Sequence, residues 1–282
     1  MPPSAPPVAV TGATGRLGGR IARRLAAAGV PQRLLARDPA RAPRLPGAVA
    51  VPASYADAPA VEAALAGVGT VLMVSASEAP DRVAQHRTFV DAAVAAGVRH
   101  LVYVSFAGAA PDATFTLARD HWATEQHVAD RGLTATFLRD NLYADFVPAL
   151  VGADGVLRGP AGDGRVALVA QDDIADAAAA VLQDPAAHAD RVYELTGPAP
   201  LTLAEVAATL TAVRGRPVSY VPETVEEAYA SRSGLGAPDW QLDAWVSTYT
   251  AIADGSLATV TTDVPELTGH PATPLEQVLR AG

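Results

Sequence analysis

Lysine and cysteine are both missing from this chain of 282 residues: all 21 basic residues are arginine, and the cysteine count is zero. Without lysine the chain cannot be a phosphate-loop NTPase of the GxxxxGK[ST] type, whose lysine contacts the phosphates. Nor can a lysine amine form a Schiff base. Without cysteine there is no thiol nucleophile, disulfide or thiolate metal site. A chain with no disulfide to maintain suits a reducing cytoplasm, which is the expected location. Positive charge is scarce: 30 acidic residues against 21 basic ones leave a formal net charge of -9. Nucleic-acid binding needs a dense basic face, so no nucleic-acid partner is expected. Long apolar runs are lacking too. The longest, residues 63–76, is interrupted by Gly67 and Gly69, short of the ~20 residues of a spanning helix, so no membrane partner is expected. Residues 1–4 show no basic segment leading into an apolar run, so no export signal is expected. The six histidines lack HxxxH or HExxH spacing, and no metal centre is expected.

What is present is a strongly apolar chain, 50% hydrophobic, able to bury a sizeable core. Its length suits one large domain or one domain with a smaller partner. Through the first half, short β-branched runs alternate with Ala-rich helical patterns. Strands are expected at 8–10, 32–36, 49–52, 71–74, 100–104 and 134–138, and helices at 17–28, 58–66, 82–96 and 118–129. In the first helix Leu17, Ile21 and Leu25 fall on one face and Gly29 ends it. Alternating strands and helices imply parallel pairing through right-handed crossovers. The fold class expected is therefore α/β, a doubly wound parallel sheet of Rossmann type with a smaller C-terminal α/β substrate lobe.

Past residue 140 the rhythm breaks. Residues 152–164 are glycine-rich and read as a loop or hairpin. Helices are expected at 172–182, 201–213, 223–231 and 239–253, with strands at 192–195 and 218–221. Thr202 with Glu205 has the spacing of a capping box. The expected division is a nucleotide-binding domain over residues 1–150, with 166–198 returning to it, and a smaller substrate lobe made mainly from 151–282.

Thr11-Gly12-Ala13-Thr14-Gly15-Arg16-Leu17-Gly18 lies directly between the first strand and the first helix. The spacing is GxxGxxG rather than GxGxxG, but the physical demand is similar. One glycine permits the tight turn, one lets the backbone approach a pyrophosphate, and one lets helix and strand pack closely. The helix N-terminus then offers free N–H donors to phosphate. The second strand ends Leu35-Ala36-Arg37-Asp38. An arginine there pairs with a 2′-phosphate, so NADP(H) is expected, while Asp38 leaves NAD(H) open. Arg16 could add a second positive group. Ser75-Ala76-Ser77 follows the fourth strand, where small residues leave room for the cofactor.

TGATGRLG at 11–18, VSASE at 74–78 and AQHRTFVDAAVAAGVRHLVYVS at 84–105 resemble the NmrA-like group of atypical short-chain dehydrogenase/reductases. ELTGP at 194–198 and GHPATPLEQ at 269–277 resemble, within that group, the bacterial NAD(P)H:quinone oxidoreductases. The likeness covers nearly the whole chain and implies NADPH held between a Rossmann domain and a smaller lobe. Residue by residue, it implies a phosphate loop at Gly12, Ala13, Thr14, Gly15, Arg16, Leu17 and Gly18. It implies a 2′-phosphate contact at Arg37, a ribose-side loop at Ser75, Ala76 and Ser77, and a nicotinamide-end segment at Asp140, Asn141, Leu142 and Tyr143. Two departures stand out: LRDNLY where relatives read LRNGWY, and Ser54 where relatives often carry an aspartate near the adenine.

The tyrosine–lysine dyad of ordinary short-chain dehydrogenases cannot form. Leu117 stands at the tyrosine position, His121 at the lysine position, and Glu125 follows four residues on. Quinone reduction tolerates that loss, because the hydroquinone anion is weakly basic and can take a proton from water. Placing the two rings face to face supplies the acceleration. His121, Tyr143 and Asn141 are the candidates for catalytic assistance. The alternative for His121 is a surface or capping role, and for Tyr143 packing between lobes. His86 reads as structural or interfacial, His100 as structural, and Glu125 as a helix-surface or lobe-contact residue. Trp240, Trp245 and Tyr249 either wall an apolar pocket for a quinone ring or pack the core. The function expected is hydride transfer from NADPH to a quinone or similar conjugated carbonyl, by a monomer or homodimer. The alternatives are a non-catalytic NADP(H)-sensing regulator and a tailoring reductase or isomerase.

Overall fold

The computed structural model describes residues 7–282; residues 1–4, read above for an export signal, lie outside that range. In chain order the elements are β1 (Val8–Thr11), α1 (Arg16–Ala27), β2 (Gln32–Ala36), β3 (Ala48–Pro52), α2 (Ala58–Leu65), β4 (Thr70–Val74), α3 (Arg82–Ala95), β5 (His100–Phe106), α4 (Thr116–Asp130) and β6 (Thr134–Asp140). Then follow β7 (Val156–Gly159), β8 (Arg165–Val166), α5 (Gln171–Gln183), β9 (Arg191–Leu195), β10 (Leu201–Thr202) and α6 (Leu203–Arg214). The chain ends with β11 (Ser219–Pro222), α7 (Val225–Arg232), α8 (Asp239–Ala253), α9 (Asp263–Thr268) and α10 (Leu275–Ala281).

Seven strands form one sheet in the order β3-β2-β1-β4-β5-β6-β9. The pairings of β3 with β2, β2 with β1, β1 with β4 and β4 with β5 are all parallel. The order 3-2-1-4-5-6 is that of the dinucleotide-binding doubly wound sheet. Its direction of growth reverses between β1 and β4, so the carboxyl ends of those strands frame the switch point where such sheets bind ligands.

The chain divides into two compact units. The first holds residues up to Ser105, Asp120–Arg139 and Ile174–Tyr193. Its sheet is covered on both faces. Val71 and Met73 of β4 enter a cluster with Val61 and Leu65 of α2 and Phe89 and Val90 of α3. Leu72, alternating to the other face, is equally buried. The expected apolar stripe of α1, Leu17, Ile21 and Leu25, is buried. Each such side chain contributes about 1.5–3 kcal/mol relative to exposure. Arg24 of α1 pairs with Asp176 of α5 at 2.6 Å.

The second unit holds Phe106–Arg119, Asp140–Asp173 and Glu194–Gly282. Phe106 and Phe115, 4.9 Å apart between ring centroids, join Leu157, Val206, Leu210, Tyr249 and Ile252 in its core. Residues 152–164, expected as a loop or hairpin, turn back at Gly152–Gly155, with a single antiparallel bridge from Val151 to Leu157, and also hold a strand. β7 arises there and pairs in parallel with β11, far along the chain. The β7 pattern, Val-Leu-Arg-Gly, is too short to announce a strand, and its distant partner leaves no local signal. The capping box of α6 forms as the spacing implied, with Thr202 accepting the Glu205 amide at 3.1 Å.

Candidate functional site

The glycine-rich turn begins where β1 ends. Gly12 has φ +67°, a conformation that side chains resist, and a Cβ there would meet Val74 Cβ at 3.1 Å. Gly18 lies closer still: a Cβ would come within 2.4 Å of the Gly12 carbonyl oxygen. Helix α1 is therefore seated directly on the turn. Its N-cap is Gly15, with no side chain capping it and no acid in the first turn. The amides of Arg16, Leu17 and Gly18 find no acceptor among the described residues, while Thr14, Gly15 and Arg16 are exposed. Ala13, Leu17 and Gly18 are buried beneath them.

Across the switch point, Thr11 and Tyr55 lock β1 to β4. Thr11 Oγ1 accepts the Val74 amide at 2.9 Å, and the Tyr55 hydroxyl bonds both Thr11 Oγ1 and the Val74 carbonyl. Nothing local in the sequence marks Tyr55 beside Ser54. A tyrosine in a loop after β3 carries no local sign of the strand ends that it will bridge.

The loop after β4 is held from beneath. His86 Nε2 accepts the Ala76 amide at 2.9 Å, and Arg82 Nε donates to the Ala76 carbonyl at 2.9 Å. Above this clamp Ser75 is half-buried and Ser77 exposed, and neither hydroxyl has a partner among the described residues.

His121 is no surface residue. It is 6% exposed on α4, with Nε2 receiving Arg82 Nη2 at 2.9 Å and Nδ1 on the Tyr103 hydroxyl at 3.0 Å. Burial, reinforced by the Arg82 charge, holds its pKa well below the ordinary value, so it stays neutral. His86 is wholly buried and structural, its pKa pushed down to about 3 by burial and then by Arg82. His100 is buried on Thr136 at 2.8 Å. Glu125 corrects the helix-surface reading: it is 3% exposed, accepting Ser105 Oγ at 2.6 Å and forming an ion pair with Arg139 at 2.6 Å. A buried carboxylate needs such pairing, and the partner on β6 is invisible in the helix pattern.

At the end of β2, Arg37 is exposed and without a partner among the described residues. Asp38 is occupied: its Oδ1 accepts the Ala40 amide at 3.0 Å and caps the short 3-10 turn Pro39–Arg41.

The segment after β6 belongs to the second unit. Asn141 is 1% exposed; its Nδ2 donates to the Leu257 carbonyl at 3.0 Å and its Oδ1 accepts the Leu142 amide at 2.8 Å. Asp140 is also buried, and accepts the Tyr143 hydroxyl at 2.7 Å. Tyr143 and Leu142 are half-buried. On α8, Tyr249 packs in the core: a Cβ on Gly159 would come within 2.2 Å of its ring, and the Arg232 guanidinium lies 5.1 Å from the ring centroid. Trp240 and Trp245 are half-buried. No group of three or more potential metal ligands occurs among the described residues, and no helix there is long and apolar enough to cross a membrane.

The model of the NmrA-like family matches residues 5–233. The chain belongs to the NmrA-like family. This NmrA-like chain is similar to quinone oxidoreductase 2 of Escherichia coli, at 35% identity over 96% of each chain. The solved structure of that enzyme with NADPH superposes with a TM-score of 0.88, covering 97% of this chain and 99% of the other. A second relative, 38% identical over 95% of this chain and 94% of its own, is the (4-alkanoyl-5-oxo-2,5-dihydrofuran-3-yl)methyl phosphate reductase of Streptomyces griseus. A third, the Citrobacter triphenylmethane reductase complexed with NADP(H), is 31% identical with a TM-score of 0.86, covering 97% of this chain and 99% of that one.

Proposed function

We propose that the protein is an NAD(P)H-dependent reductase that uses NADPH to reduce a quinone or a similar conjugated carbonyl acceptor. The observation that carries the reading is the open turn at the switch point. Three helix N-terminal amides lack acceptors there, in a chain similar over almost its whole length to an NADPH-dependent quinone oxidoreductase. The residues fit a dinucleotide. Gly18 leaves no room for a Cβ, and Gly12 holds a φ of +67° that side chains resist, so the backbone itself forms the surface. The exposed Arg37 stands ready for a 2′-phosphate, while Asp38, the acid that would favour a free ribose hydroxyl, is turned to capping.

When bound, the nicotinamide nucleotide supplies the hydride. The amides of Arg16, Leu17 and Gly18 hold the pyrophosphate through the helix N-terminus. The Ser75 and Ser77 hydroxyls offer partners to the ribose. The segment Asp140 to Tyr143 serves the nicotinamide end, with Asn141 shaping the backbone rather than touching substrate. The Tyr143 hydroxyl donates a hydrogen bond to Asp140, so Tyr143 acts by stacking and water protonates the reduced acceptor.

The test is NADPH absorbance with a panel of quinones, a conjugated lactone and simple ketones. Rapid loss with quinones and none with ketones is expected. Tight NADPH binding without turnover on any acceptor would instead make the protein a nucleotide sensor.

A further inference from the structure

The Ala76 peptide is gripped on both sides by side chains from α3. His86 Nε2 takes its N–H at 2.9 Å, and Arg82 Nε gives a hydrogen bond to its carbonyl at 2.9 Å. Because Nε2 accepts, the His86 proton sits on Nδ1 and is donated to Thr124 Oγ1 at 2.8 Å, whose own hydroxyl donates to the Asp120 carbonyl at 2.8 Å. The guanidinium of Arg82 is engaged at all three nitrogens: Nε on Ala76, Nη2 on His121 at 2.9 Å, and Nη1 on Asp120 at 3.4 Å. His86 is fully buried and Arg82 is 5% exposed, while Ala76 and Asp120 at the two ends of the assembly are half-buried. It runs from α4 through two α3 side chains to a single loop peptide. Core packing alone does not call for a buried arginine and an uncharged histidine converging on one peptide. Apolar residues of similar size would fill the space without desolvating a charge.

We propose that Arg82 and His86 are positioning residues that fix the Ser75-Ala76-Ser77 loop for nicotinamide nucleotide binding, with Thr124 and His121 fixing them in turn. This rests on the functional reading above. Both polar groups of the Ala76 backbone are engaged by α3 side chains, while the two serine hydroxyls, unpartnered among the described residues, remain among the loop's free groups. Rigid support of this kind sets affinity through pre-organisation rather than through contact.

The experiment measures NADPH affinity by nicotinamide fluorescence, together with KM and kcat for the same nucleotide, in full-length His86→Leu, His86→Gln, Arg82→Lys and Thr124→Val. His86→Leu removes the acceptor and is expected to weaken NADPH binding about tenfold, raising KM in step while kcat changes less than about threefold. His86→Gln can accept the Ala76 N–H through its Oε1 and restores affinity to within about threefold of wild type. Arg82→Lys keeps the charge but not the fork and behaves like His86→Leu. Thr124→Val is nearly isosteric, folds without a buried clash, and shifts affinity in the same direction by a smaller factor. Hydrogen exchange at the Ala76 amide of the ligand-free protein speeds up in His86→Leu and Thr124→Val and is restored by His86→Gln. Folded His86→Leu with wild-type affinity overturns the clamp and leaves the functional reading standing. If His86→Leu does not fold, unchanged affinity and unchanged Ala76 exchange in Thr124→Val do the same. Wild-type protein that binds neither NADPH nor NADH overturns the functional reading, and the clamp's purpose with it.

Discussion

The proposed roles of Arg37 and Gly18 rest on opposite properties, an exposed charge and a side chain that is missing. A charge-assisted hydrogen bond is worth about 1.5–3 kcal/mol. If Arg37 makes the proposed contact with a 2′-phosphate, Arg37→Ala should therefore raise KM for NADPH by roughly 10–100-fold. Arg37→Ala should leave KM for NADH nearly unchanged, since NADH lacks that phosphate. Equal losses with the two nucleotides in steady-state assays would remove Arg37 from the 2′-phosphate site. Gly18→Ala tests the turn. Its Cβ would sit 2.4 Å from the Gly12 carbonyl oxygen and 2.5 Å from the carbonyl carbon, so backbone must move. Overpacking of this kind costs about 1–3 kcal/mol. Thermal unfolding should show a lower midpoint, and a fluorescence titration should show weakened NADPH binding. A variant with unchanged affinity and midpoint would mean that the turn yields more easily than its packing implies.

Between elements, the network joining the β4–α3 loop, α3, β5 and α4 makes stability depend on pH. The folded protein holds His86 near a pKa of about 3 and His121 well below its usual value, through burial first and Arg82 second. In the unfolded chain both return to about 6.5. As pH falls through that value the unfolded chain gains protons that the native state refuses. The stability is thus present above about pH 6.5 and lost towards pH 3. The slope is about 1.4 kcal/mol per pH unit for each histidine. Urea midpoints should fall steadily from about pH 7 to pH 4.5, and His86→Gln should flatten the decline. Equal midpoints across that range would show that the imidazoles accept protons in place. Within α6, Thr202→Ala removes one half of the capping box and should cost about 1 kcal/mol, read as a lowered unfolding midpoint.

At the scale of the molecule, each compact unit is assembled from three separate stretches of chain. The large sheet takes its last strand, β9, from residues 191–195, after the chain has passed through part of the second unit. A chain ending at residue 150 would lack that strand and the part of α5 carrying Asp176, the partner of Arg24. It should unfold without cooperativity and expose the edge of β6, a template for aggregation. Cooperative melting of residues 1–150 on their own would show that β9 and α5 are dispensable to the first unit.

Local rules were enough for the alternating strands and helices, the stripe Leu17-Ile21-Leu25, the turn at 11–18 and the capping box at Thr202. Each depends on residues within a few positions of one another, where periodicity and the conformational freedom of glycine speak directly. Tertiary structure decided everything that joins distant segments. It paired β7 with β11, buried Glu125 between Ser105 and Arg139, and brought Tyr55 across to Thr11 and Val74. It also made His121 a neutral, buried link rather than a surface group. The physical reason is that a polar side chain can be buried only where partners meet it, and packing alone selects which partners those are.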